Sequence, residues 1–150
     1  MFTADVNLEL LREVSGYMGI IRDRVRAYLD SHQYESQNPI LEDRTHNTKI
    51  FRVNSNTTIA TSETGYTVYI DCDGLIPNVK ARAATLLKVK ALLDENNPSI
   101  AGLGGKDIAF VYRFDKRYSF FQYYNQDGLL THNGPAVEIY SRYALYTSLN

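Results

Sequence analysis

Near the start of the chain, apolar residues recur at alternating spacings of three and four: Leu11, Val14, Met18, Ile21, Val25 and Tyr28. At 3.6 residues per turn they form a single stripe, which predicts a helix over residues 4–32 with that stripe against a core. Thr3 suits the N-cap, and Asp5 places a carboxylate in the first turn, where the helix dipole favours it. Glycine inside a helix costs about 1 kcal/mol against alanine. Gly16 and Gly19 therefore either allow close approach of another helix or are a tolerated pair, with Ile20 a stray surface residue. Ile20 falls on the opposite, polar side, near Gly16 and Ala27. Those three residues mark a candidate interface.

Residues 33–47 are polar and contain Asn38-Pro39, the pattern of a loop. Strands follow over 48–54, 57–61 and 66–72, with turns at Asn54-Ser55-Asn56 and at Ser62–Gly65. A second helix is predicted from Pro77 to Glu95, with proline in its first turn and Asn96-Asn97-Pro98 ending it. Its stripe is Val79, Ala83, Leu86, Val89 and Leu93, and Lys90 falls near the middle. A lysine there either snorkels to solvent or reaches a buried acid or an anionic ligand.

The last third is dominated by aromatic residues. Seven of the twelve tyrosines lie between Tyr112 and Tyr146. Asp107–Phe114 and Arg117–Tyr124 read as an antiparallel hairpin bending at Asp115-Lys116. A strand with one wet face alternates apolar and polar residues, and these strands do not. Ile108, Phe110, Tyr112 and Phe114 point one way, and Ala109 and Val111 the other. Phe121 and Tyr123 share one face of the second strand; Tyr118, Phe120 and Tyr124 share the opposite one. Both faces of the sheet need cover, so a partner or ligand is expected on the face without helices, with Phe120 a candidate contact. Asp127-Gly128 and Asn133-Gly134 are turn signals. They favour a strand over 136–147, or a helix if Pro135 starts one. The expected fold is one α+β domain over 1–150, with two helices on a mostly antiparallel sheet in the order α-β-β-β-α-β-β-β.

A length of 150 residues suffices for a single core. The formal net charge of −1 argues against nucleic-acid polymers, which need a basic excess. No apolar run reaches the roughly 18 residues of a membrane span, and Met1–Asn7 lacks the pattern of a signal peptide. One cysteine excludes a disulfide framework within the chain. A cytoplasmic protein is expected.

Candidate chemistry is sparse. Gly102-Leu103-Gly104-Gly105-Lys106-Asp107 superficially resembles a phosphate loop. Asp107 replaces the magnesium-binding hydroxyl, and a strand follows where a helix is needed. His46-Asn47-Thr48 has the H-x-T form of two-histidine phosphoesterases, but His132-Asn133-Gly134 offers no second hydroxyl. Cys72 shares a strand face with Val68 and Ile70 and reads as a core thiol. Asp71 and Asp73 flank it, most simply as a solvated turn. No metal site, cofactor or catalytic residue is assigned. Basic and aromatic side chains interleave in Lys90, Arg113, Arg117, Tyr118, Tyr124 and Arg142, a set able to stack on and clamp a nucleotide-sized anion. Tyrosine and arginine are equally typical of protein interfaces.

Residues 123–138 carry Tyr124, Gly128, Leu130, His132, Gly134, Pro135, Ala136 and Glu138. The segment resembles a hairpin repeat of large phages and giant viruses, W-Y-x-N-G-x-L-H-R-x-x-G-P-A-x-E, in one shortened copy without the arginine. The resemblance implies a virus- or phage-encoded protein, then resident in the host cytoplasm, and no catalytic residue. The expected function is a non-enzymatic, self-associating module that binds another protein. The alternatives are a small-molecule or nucleotide binder using the Tyr/Arg sheet, and a small hydrolase using His46 and His132.

Overall fold

A computed structural model describes residues 8–45, 47–63, 65–75, 82–95, 106–114 and 119–135. The stripe beginning at Leu11 forms helix α1, Leu8–Asp30. Leu11, Val14, Met18, Val25 and Leu29 are buried along it, and Ile21 and Tyr28 are partly buried beside them. A single 3-10 turn follows, Gln33–Ser36, which turns Tyr34 inward; its hydroxyl hydrogen-bonds with that of Tyr66 at 3.1 Å. Four strands come next: β1 Leu41–Asp43, β2 Thr48–Asn54, β3 Thr57–Thr61 and β4 Gly65–Asp71. Helix α2, Arg82–Glu95, leads to β5 Asp107–Arg113, β6 Ser119–Tyr124 and β7 Leu130–Pro135.

The seven strands lie side by side in sequence order, and only the β4–β5 pair is parallel. A parallel neighbour requires a crossover, which contains α2. The parallel ladder begins at Gly65 beside Asp107. A Cβ at position 65 would stand 2.5 Å from the Asp107 carbonyl oxygen, so the approach requires glycine. The architecture is α+β with a mostly antiparallel sheet, as the periodicity predicts.

Two strands differ from that reading. Leu41–Asp43, within the polar segment 33–47, pairs with Thr48–Ile50 as β1. Asn133-Gly134 is no turn: it pairs with Phe121 and Gln122 inside β7. The turn before it is made at Asn125–Gly128, where the Asn125 carboxamide accepts from the N–H groups of Asp127 and Leu129. Gly128 has φ 79°, a left-handed value that suits glycine. Segment 136–147 and the Asp115-Lys116 bend lie outside the described residues.

Both helices pack on one face of the sheet. Their buried residues, including Met18, Leu29, Val89 and Leu93, join Ile59, Val68, Ile70, Phe110, Tyr112 and Tyr124 in the main core. Cys72 belongs to this core, and burial pushes its thiol pKa far up. A smaller cluster of Ile50, Ala60, Tyr69 and Val111 lies on the opposite face, with Leu41 and Phe121 against it. The centre of that face is covered within the chain itself, whereas the aromatic pattern implies cover from a partner or ligand. Ile50, Tyr69 and Val111 are 0%, 1% and 0% exposed within the single chain.

Candidate functional site

Five large apolar side chains are exposed among the described residues: Tyr17, Ile20, Ile40, Leu87 and Leu129. Tyr17 and Ile20 are three apart, so they neighbour one another on α1. They are 47% and 52% exposed, and they flank a groove of about 340 Å³ between α1 and the β2–β3 turn. Its wall holds Ile21, Val25, Tyr28 and Val53, with Arg24 on the helix side and Asn54–Thr57 on the turn side. The apolar floor exists because Ile21 and Tyr28 lie at the border of the buried stripe. The Tyr28 hydroxyl accepts from Gln37 Nε2 at 2.8 Å, which fixes the ring at the end of the groove.

The three α1 residues read as an interface share this outer side. Gly16 and Ala27 are exposed with Ile20, and a Cβ at Gly16 would meet nothing within 4 Å. The expected helix contact belongs to Gly19 instead, where a Cβ would sit 4.0 Å from Leu93 Cδ1 of α2. Phe120, the fourth proposed contact, is no surface residue. It is 3% exposed, stacked on Phe114 and tilted against Tyr112 under the helices.

The described members of the expected anion site, Lys90, Arg113 and Tyr124, do not come together. Tyr124 is 1% exposed, edge-on to Phe110 at 5.9 Å, so its ring cannot stack on a ligand. Arg113 alternates with the core residue Tyr112 and therefore points to the helix-free face, where it meets Asp71 at 3.4 Å. Asp71 Oδ1 also accepts from the Asp73 N–H at 3.0 Å, which makes the acid pair a turn. Lys90 sits on α2, on the other side of the sheet, and has an interaction of its own. Arg117, Tyr118 and Arg142 lie outside the described residues.

The two described histidines, His32 and His132, lie on different elements. His32 is exposed with φ 58°, and its Nδ1 lies 3.1 Å from Glu35. Position 46 is outside the described residues, but its neighbours Thr45 and Asn47 lie between β1 and β2 at one edge of the sheet. His132 stands opposite Tyr123 in β7, at the other edge. Strands β2 and β7 are five strand steps apart, about 24 Å. Lys106, from the glycine-rich segment, lies over the Tyr66 ring at 5.2 Å. It also lines a second cavity of about 380 Å³, whose walls mix Glu42, Asp43 and Glu63 with Arg44 and Lys49. No group of three or more metal-ligating side chains is present among the described residues.

Two arginines place guanidinium nitrogens inside the molecule: Arg22 is buried and Arg52 half-buried. Arg22 is 4% exposed under α1, and its Nη1 donates to Gln122 Oε1 at 3.5 Å. The Tyr112 hydroxyl donates to the same oxygen at 2.9 Å. Burial pushes the Tyr112 pKa well up, against the opposing pull of the Arg22 charge. Arg22 is four residues from Met18, and Gln122 alternates between Phe121 and Tyr123; neither carries a sequence signal of burial beyond that spacing. On the opposite face, Arg52 has two buried nitrogens without a hydrogen-bond partner. There too the Tyr123 hydroxyl hydrogen-bonds the Asp107 carboxylate, which chiefly accounts for a Tyr123 pKa pushed up to about 12.

No protein-family model matches the chain, and neither does any curated protein or solved structure. The functional reading therefore rests on the geometry alone. No helix among the described residues is long and apolar enough to cross a membrane.

Proposed function

We propose that the protein is a non-enzymatic interaction module that self-associates through the outer side of α1, and the occupant of the groove is a second copy. The observation that carries this reading is the exposed pair Tyr17 and Ile20 at the lip of an apolar groove. Exposed aliphatic and aromatic side chains beside a preformed groove are the usual anchors of a protein interface.

Charge favours a second copy. Glu13, Tyr17, Ile20 and Arg24 are spaced four, three and four apart, one stripe on the outside of α1. Glu13 and Arg24 are exposed. Turned antiparallel about a two-fold axis near Met18 and Gly19, this stripe complements itself. Glu13 then faces Arg24 of the second copy, and Tyr17 faces its Ile20. Two-fold pairing of one patch with itself is the commonest form of homo-oligomer. A single helix pair covers less than the roughly 1,200–2,000 Å² of a stable interface, so the expected dissociation constant is on the order of micromolar.

The test is light scattering on variants. Ile20→Asp should leave the fold intact and give monomer at concentrations where the wild type is a dimer. Glu13→Arg and Arg24→Glu should each weaken the dimer, and the two together should restore it, because the charge pair is rebuilt with opposite sense. A double variant no better than either single one contradicts the antiparallel arrangement.

A further inference from the structure

On the helix-free face, Arg52 stands opposite Thr58 in β3, and Tyr69 follows Thr58 in β4. Thr58 and Tyr69 are 2% and 1% exposed, whereas Arg52 is only half-buried, so its side chain runs between core and solvent. Its Nε and Nη2 are buried and have no hydrogen-bond partner. These two atoms belong to one edge of the guanidinium. That edge carries two parallel N–H groups, the fork that grips a carboxylate or phosphate by two hydrogen bonds.

Among the described residues, the acids on this face are already engaged. Asp71 is held by Arg113 at 3.4 Å, Asp107 accepts from Tyr123, and Asp43 has an interaction of its own. A cation whose donor edge is buried without an acceptor is costly, and such a group in a native protein calls for an ion or water. We infer that the Nε–Nη2 edge of Arg52 is an oxyanion site, which takes one carboxylate or phosphate group through two parallel N–H···O bonds. The site lies across the sheet from α1 and is independent of self-association.

Thermal unfolding of the full chain in inorganic phosphate, in acetate and in chloride at matched ionic strength tests this. Phosphate or acetate should raise the melting temperature saturably over chloride, by about 8 °C at 100 times its dissociation constant. Whichever anion does so identifies the class. In wild type the Arg52 Nε–H resonance should shift along the same binding curve. Arg52→Lys keeps the charge without the fork, and Arg52→Met removes both; each should abolish the anion-dependent rise. No difference from chloride, or an equal rise in Arg52→Met, would overturn the assignment. A full rise in Arg52→Lys would overturn the fork geometry.

Discussion

Gly65 and Gly16 show how local space decides the effect of one methyl group. At Gly65 an added Cβ meets the Asp107 backbone at 2.5 Å, inside the parallel ladder, where neither strand can yield without losing pairing. At Gly16 it meets nothing, and alanine is the better helix residue. Gly65→Ala should destabilise by about 2 kcal/mol, as over-packing does. Gly16→Ala should stabilise by about 1 kcal/mol. Urea midpoints measured in the monomeric Ile20→Asp background check both, because dimerisation then does not enter. Equal signs for the two changes would contradict this account. The glycines themselves are plain in the sequence, but the carbonyl opposite Gly65 comes from a strand 42 residues on in the register. No local pattern reports that distance.

Helix α1 shows what periodicity can and cannot supply. Its inner stripe was legible because Leu11 through Tyr28 keep helical spacing over five turns, and its outer side was legible because Ile20 breaks the polar pattern. Arg22 was not legible: a basic residue beside an apolar stripe reads as a side chain reaching solvent, whereas here it turns inward to Gln122. Strand β1 was missed because Leu41-Glu42-Asp43 has no β-branched or aromatic residue and is only three residues long. Strand β7 was missed because Asn133-Gly134 carries a strong turn signal that pairing with β6 overrides. The buried polar bridge between α1 and β6 gives a further expectation. Gln122→Leu would leave the Tyr112 hydroxyl without its acceptor and Arg22 with one partner fewer. A loss on the order of 2 kcal/mol is expected in chemical denaturation. A neutral outcome would mean that the bridge contributes nothing to docking the helix.

At the scale of the molecule, the aromatic strands and the α+β class were readable because side chains on both faces of β5 and β6 fail to alternate with polar ones. The aromatic pattern by itself does not call for a partner on the second face. Alternation reports burial, and Ile50, Tyr69 and Val111 are buried within one chain. The expected cluster of Lys90 and Arg113 failed for a related reason: sequence spacing cannot say that a sheet lies between them. Among the described residues, Tyr17 and Ile20 are an exposed apolar pair beside a groove on the outside of α1, and self-association there is the central claim. The most direct measurement is light scattering of the wild-type chain over a dilution series from about 500 to 1 micromolar, bracketing the expected dissociation constant. The account predicts the mass of two chains at the top of the series, falling toward that of one chain on dilution. A single-chain mass throughout would contradict it.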